Sequence, residues 1–474
     1  MIDLRLGTLG PAAPLSATAF GTTILTAMQH PADRHSQALS ASPAGLKPLA
    51  QRPGATMRRR YLVAGLAASL GSAGWSRASG RIKLTVAAFP LVDEIVKAAL
   101  PGFRQRHPQV DVAVVSRQYV DHHTAMTTAL STSVYLPDVM ALEASYVGRF
   151  SQGEGLEDLS KAPYDVERLA TRFVPYAFDQ TRNRRGARVA VPTDIGPGTM
   201  LYRTDLLRKA GLGEADLTPT WEAYVAAGVK IKAATGAYLI GNAQSVKDIV
   251  IRSGLRPGEG LYFDKDSNVL VNSPRFRRAF ELAREVRRRK LDAKVNAWSN
   301  EWAEGFRRGT LATDLTGAWM VGQMATWVAP TTKGLWRAAQ LPENTFVGYG
   351  GTFYAIPRRA NPANKPLAWE LIQWLTLNPQ LQLAAFKSQD AFPALLETHQ
   401  DPFFDGPVAF LGDQPARQLW RDAARRITAT QVHKQTNFAD EVIGTELDNV
   451  LDRGKDIAAA LADAQRLLER RAHR

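Results

Sequence analysis

Five of the ten tryptophans, Trp298, Trp302, Trp319, Trp327 and Trp336, fall within one stretch of 39 residues. Flat aromatic faces suit the apolar C–H faces of pyranose rings. Asp, Glu, Asn or Gln at their edges would exchange hydrogen bonds with the hydroxyl rim. For any single indole, burial in a core is at least as good an account; the clustering is what favours binding. Signatures of catalysis are missing. There is no HExxH, GxSxG or GxxxxGK[ST] string, and no GxGxxG follows a strand pattern. His122 and His123 adjoin Asp121, but neighbouring side chains point different ways, which speaks against a metal site. The DKDSN string, Asp264 to Asn268, imitates the start of a calcium loop. Val269 and Arg275 stand where glycine and a bidentate acid are needed, so a hairpin turn is expected instead. No catalytic group, metal or cofactor is expected. Scattered carboxylates cannot be paired from sequence, so an exported carbohydrate-active hydrolase stays open beside a binding function.

The elements that would position these side chains can be read from periodicity. Ile82, Leu84, Val86 and Ala88 alternate as on a strand, and Leu91, Val92, Ile95, Val96, Ala99, Leu100 and Phe103 form a helical stripe. Val110, Val112 and Val114 alternate again. Strand, helix and strand in about 35 residues indicate a βαβ unit and a parallel sheet. A helix near Thr124–Thr132 and an apolar strand at 138–142 continue the alternation, so the fold class is α/β. Pro192, Gly196, Pro197 and Gly198 interrupt the next apolar run, which suggests a crossing between lobes rather than a central strand. Gly348, Gly350 and Gly351 mark a second crossing, where glycine allows close backbone approach. From Pro366 onward the chain reads mostly helical.

The chain of 474 residues carries a formal charge of +14, which raises the possibility of a nucleic-acid partner. The distribution argues against it. Residues 1–80 hold eight basic and two acidic side chains, and the rest of the excess is diluted over nearly 400 residues. The densest later cluster, Arg284 to Lys290, falls on the polar side of an amphipathic helix. Absence of cysteine excludes disulfides, thiolate metal sites, cysteine nucleophiles and a lipid-modified N-terminal cysteine.

Residues 57–80, MRRRYLVAGLAASLGSAGWSRASG, combine three arginines, a short apolar run and a small-x-small site, the parts of a secretory signal. The apolar run is shorter than the ~20 residues that span a bilayer. RRRYL also resembles a twin-arginine signal, so the Sec and twin-arginine routes both stay open. Residues 1–56 are rich in Ala, Ser and Pro without sustained period, and are expected to be disordered and not part of the fold, with Met57 the true start.

From about Arg81 to Arg471 the chain resembles the family 1 extracellular solute-binding proteins, the maltose-binding-protein-like receptors of carbohydrate ABC importers. The strings that carry the likeness are LPGFRQRHPQVDVAVV, LPDVMALEASYVGRFSQGEGLEDLS, VPTDIGPGTMLYRTDLLRKAGL with PTWEAY, FRRGTLATDLTGAW and GYGGTFYAIPRRANPANKPLAWELIQWL, in that order. The resemblance implies two α/β lobes joined by crossing hinge segments, with a ligand cleft between them. The expected division is residues 81–190 and 348–390 in the first lobe, and 191–347 and 391–474 in the second. It further implies a periplasmic receptor, not a lipoprotein, monomeric, that closes on a sugar such as maltose or trehalose and hands it to membrane permease subunits. A receptor of the same fold for a non-sugar ligand remains an alternative.

Carried onto matching positions, Glu143 and Asp194 would meet sugar hydroxyls and Trp319 would stack. Gly350, Gly351 and Thr352 would contact ligand at the second crossing, and Phe89 and Tyr119 would face the cleft from strand ends. Phe438, Gln244, Trp298 and Trp302 complete the candidates. The first strand, TVAAFP, departs from the pattern because it lacks the tryptophan or polar cluster that many members carry at its end.

Overall fold

The computed structural model describes residues 81–473, apart from 152 and 257. The signal expected at 57–80 and the segment before it lie outside the described residues.

Strand β1 (Ile82–Ala88) pairs in parallel with β2 (Val110–Ser116) along its whole length, and helix α1 (Val92–Arg106) connects them. This is the expected βαβ unit. Leu91, assigned to the helical stripe, instead stands just before the helix with a left-handed φ of 74° and is exposed. Asp93 and Glu94 in the first turn favour the start at Val92 by meeting the positive end of the helix dipole. Strand β3 (Val139–Glu143) joins β1 on its other side, and helix α2 (Tyr119–Thr132) leads into it. That helix begins five residues earlier than expected, so Tyr119 opens a helix rather than ending a strand.

Strand β4 (Val191–Arg203) corrects a second expectation. The Pro- and Gly-rich run is a central strand as well as a crossing. Its first half pairs antiparallel with β7 (Gly348–Ala355), and its second half pairs with β5 (Thr313–Gly317) and β6 (Trp336–Ala339). The prolines are tolerated because the register with β7 shifts between Pro192 and Asp194 and again between Ile195 and Pro197. Such irregularities relieve the ladder of the N–H that proline lacks. The change of partners falls at Pro197 and Gly198, inside the strand. The short β8 (Phe392–Pro393) also pairs with Asp194 and Ile195, so the first lobe's sheet reaches past residue 390. Strand order is β2-β1-β3-β7-β4-β5.

Alternation along the first sheet divides its residues between two cores. Leu84, Val86, Val139 and Ala141 face a large cluster with Val96 and Phe103, whereas Ala87, Met140, Leu142 and Phe353 face a smaller one. The second lobe has its own core of Trp221, Tyr224, Phe276 and Phe280, closed by Ile443, Leu447 and Leu461 from the C-terminal helices Thr436–Arg453 and Ile457–Ala472. Among the described residues no helix is long and apolar enough to cross a membrane. The DKDSN string is a turn, as expected. The Asp264 carboxylate accepts from the backbone N–H groups of Asp266 and Asn268, and Phe263 bridges to Val269.

Candidate functional site

Three side chains are brought onto one line by strand register. Glu143, the last residue of β3, is the Cα partner of Thr352 on β7, and Thr352 is the partner of Asp194 on β4. Partners across an antiparallel pair point to the same face, so this row crosses about 10 Å of sheet, two strand spacings, beside the place where both β4 and β7 leave the lobe.

The Glu143 carboxylate is held through one oxygen. Its Oε2 accepts from the Tyr119 hydroxyl at 2.8 Å, from the Ser145 N–H at 2.9 Å and from the Ser145 hydroxyl. Phe89, just beyond β1, meets the Tyr119 ring edge-on with centroids 5.6 Å apart. Behind them His123 Nε2 accepts from the Glu143 N–H, so its proton sits on Nδ1, which donates to the Tyr119 carbonyl at 2.8 Å. Burial pushes this imidazole down to about 3 and keeps it neutral. His122 Nε2 instead bonds the Ala141 carbonyl, and the two rings stand 88° apart. No cluster that could hold a metal ion occurs among the described residues.

Asp194 is half-buried, and loss of water pushes its carboxyl up to about 7. Hydrogen bonds from the Thr352 hydroxyl and N–H oppose that rise, and the Glu143 charge adds to it. Gly350 and Gly351 adopt φ values of 91° and 125°, which favour glycine. A Cβ on Gly351 would stand 2.9 Å from the Asp194 carbonyl oxygen.

On the other side of the crossing, Trp319 donates from Nε1 to the Tyr349 carbonyl at 2.9 Å. Trp298 stacks on it at 5.9 Å and 11°, and Trp327 stacks on Trp298 at 6.1 Å. Trp298 has φ 71°, a strained value for a bulky residue and one that tends to be kept at functional sites. Trp302 is a correction. It is 3% exposed and wedged between Phe306 and Gly241, so it supports the stack from the core and offers a ligand no face. Trp336 is likewise core.

Two candidates stand apart from this group. Gln244 donates to Asp448 at 2.6 Å and lines a separate polar cavity of about 480 Å³ with Asn242, Asn296 and Asp452. Phe438 packs against the second lobe's core, with the Arg471 guanidinium 4.1 Å from its ring centre.

Sequence reasoning missed Tyr146 and Ser145, and weighed His123 only as a metal ligand. Tyr146 lies on α3 (Ala144–Ser151), half-buried, stacked on His123 at 3.9 Å and edge-on to Tyr119 at 5.8 Å. Its signal was available, because a helix starting directly behind Glu143 places a residue three positions on over the same end of the sheet.

A family model described as bacterial extracellular solute-binding protein matches residues 87–382. The chain is 24% identical over 399 residues to a lactose-binding protein of Rhizobium radiobacter, covering 77% of this chain and 89% of that one. It is 22% identical over 293 residues to an arabinooligosaccharide-binding protein of Bacillus subtilis, covering 60% and 66%. Among solved structures, the sugar-binding protein MalE from Xanthomonas citri superimposes with a TM-score of 0.69 at 22% identity, covering 82% of this chain and 97% of that one.

Proposed function

The chain belongs to the family of bacterial extracellular solute-binding proteins, and on that premise we propose that it is a periplasmic receptor that captures a sugar between its lobes. It delivers that sugar to the permease of an ABC importer. The carrying observation is the Glu143–Thr352–Asp194 row set beside the Trp319–Trp298 stack at the lobe crossing. Carboxylates and an amphipathic hydroxyl bind the rim of a pyranose, and indole faces take its C–H surface. The lactose- and arabinooligosaccharide-binding relatives support a saccharide ligand. Within that class we favour a disaccharide or oligosaccharide, such as maltose or trehalose, taken up by a monomer.

Capture needs no bond chemistry, only tighter binding by the closed arrangement of the lobes than by the open one. A disaccharide of roughly 23 heavy atoms at ~0.3 kcal/mol per atom gains about 7 kcal/mol, a micromolar Kd. A thermal-shift screen against mono- and disaccharides tests the reading, since a ligand that binds the folded form raises the melting temperature by mass action. Asp194→Ala and Trp319→Ala should each abolish the shift. A shift that survives both substitutions places the ligand elsewhere.

A further inference from the structure

Away from the residues assigned to the cleft, the first lobe carries a cluster of positive charge around a cavity. Asn183, Arg184, Arg185 and Lys434 line a space of about 280 Å³. Asn183 fixes the turn that carries the two arginines, because its Oδ1 accepts from the N–H groups of Arg185 at 2.9 Å and Ala187 at 3.0 Å. Lys434 is placed independently. It follows His433, which packs so closely on α3 that a Cβ on Gly148 would stand 2.6 Å from the His433 carbonyl oxygen. Two segments some 250 residues apart therefore converge their cations on one space.

Little negative charge answers them. Among the described residues Arg184 and Lys434 have no acidic partner, and Arg185 pairs only with the exposed Glu154, at 3.0 Å. Glu154 is shared with Arg358 at 3.4 Å. The Arg185 hydrogen bond and the charges of Arg358 and Arg359 hold this carboxyl below its ordinary range. Among the described residues it is the one carboxylate that pairs with any of these five cations, and such a cluster attracts anions.

An independent feature adjoins the cluster. Arg359 donates to the Ser133 hydroxyl at 3.0 Å, and a Cβ on Gly155, next to Glu154, would meet the Leu130 side chain at 3.3 Å. Both contacts lie at the C-terminal end of α2. Just beyond it Val134 is 51% exposed and Tyr135 is 92% exposed. Ser133 and Tyr135 have left-handed φ values of 59° and 56°, the second an outlier for a bulky side chain. Nothing in the packing of the lobe accounts for a ring held out in this strained way, and such strain tends to be kept where it serves a function. A small inorganic anion would answer the charge and leave the tyrosine unused. A phospholipid surface answers both, with phosphates for the cations and a headgroup layer in which an amphipathic ring sits with its apolar body covered.

We propose that this part of the first lobe docks on an anionic phospholipid surface. A lipid phosphate occupies the pocket of Arg184, Arg185 and Lys434, and Tyr135 inserts among the headgroups. The site lies outside the sugar-binding groups and does not depend on which solute the cleft takes.

Co-sedimentation of the protein with phosphatidylcholine vesicles, with and without phosphatidylglycerol, tests the proposal. Binding should require phosphatidylglycerol. It should be lost as salt rises from about 0.1 M to about 1 M, which cuts the screening length from roughly 10 Å to roughly 3 Å. The double variant Arg184→Glu/Arg185→Glu should bind at least about tenfold more weakly, and Tyr135→Ser should bind several-fold more weakly with every charge retained. Arg208→Glu/Lys209→Glu makes the same change of net charge at exposed positions in the second lobe and should bind as the parent does. Equal loss in the two double variants would reduce the effect to net charge and overturn the site. Binding to phosphatidylcholine alone, or to neither vesicle, overturns the lipid surface. Capture by poly-glutamate in place of vesicles does so too, and assigns the cluster to an acidic protein.

Discussion

Gly196 and Tyr349 face each other across the two crossing strands with no room for a side chain between them. A Cβ on Gly196 would stand 1.9 Å from the Tyr349 carbonyl oxygen and 2.7 Å from its carbon. Both are backbone atoms, so a larger residue can be accommodated only by moving a crossing strand. The same carbonyl accepts the Trp319 indole N–H, and strand spacing and the position of the tryptophan stack are therefore coupled. Gly196→Ala should cost about 1–3 kcal/mol of stability, the range for overpacking, and should also weaken ligand binding. Denaturant titration and a thermal-shift assay with the cognate sugar check the two effects. An unchanged midpoint would contradict the geometry.

The indole stack should report on binding. Trp298, Trp319 and Trp327 are half-buried and nearly parallel, so a ligand that lies on or displaces one of them alters the surroundings of all three. Intrinsic fluorescence should change on addition of ligand. The change should persist in Trp302→Phe, whose indole is buried, and be lost or much reduced in Trp319→Phe. Loss in Trp302→Phe with retention in Trp319→Phe would reverse the assignment of core and platform.

Asp314 on β5 gives a pH prediction. It is 7% exposed, its Oδ2 has no hydrogen-bond partner, and burial pushes it up to about 7. A carboxyl raised on folding holds its proton in the native state where the unfolded chain has lost it. Its relative stabilisation is complete below the ordinary carboxyl value of 3.8 and is lost as pH rises through about 7. His399 and His433 run the other way. Burial lowers both to about 4, so their contribution is lost as pH falls from about 6.5 toward 4. Comparison of a variant with the parent isolates the carboxyl. Asp314→Asn should stabilise less at pH 5, where the native carboxyl keeps its proton, than at pH 8. Between the two values the gain should grow by on the order of 1–3 kcal/mol, because the native carboxyl holds its proton up to about 7 while the unfolded chain has lost it. Urea titrations of both proteins at the two pH values measure this. An equal difference at both values would mean that Asp314 is ionised throughout.

The parts of the fold legible in the sequence were those governed by local periodicity. Alternation at Leu84, Val86 and Ala88 gave β1, and the Val96–Phe103 stripe gave α1, because each pattern is the burial pattern of its own element. The row of Glu143, Thr352 and Asp194 was foreseen only as three separate candidates. Their alignment depends on register between segments some 160 to 210 residues apart, and no local signal encodes that. Strand β4 misled in the opposite sense. Pro192 and Pro197 spoke against a central strand, and only the partner strand shows that register shifts accommodate them. Trp302 and Trp319 look alike in sequence. A Gly241 approach buries the first, and a hydrogen bond to Tyr349 holds the second at the crossing.

A close approach between Asp390 and Gly322 predicts a rescue. Asp390 follows the helix Pro379–Gln389 with φ 52°, and its carboxyl sits against the helical turn Met320–Gln323 just beyond Trp319. A Cβ on Gly322 would lie 1.8 Å from Asp390 Oδ2 and 3.0 Å from Asp390 Cβ, so the whole short side chain, not only its tip, is in the way. Burial pushes this carboxyl up to about 6, and the nearby Arg417 charge opposes that rise. Gly322→Ala alone should destabilise by about 1 kcal/mol or more. Asp390→Ala removes the obstructing oxygens, and the double variant should then recover most of that loss. The coupling between the two substitutions should be about 0.5–3 kcal/mol, as for residues in direct contact. Four denaturation curves close the cycle, and additive effects would show that the two positions do not touch in solution.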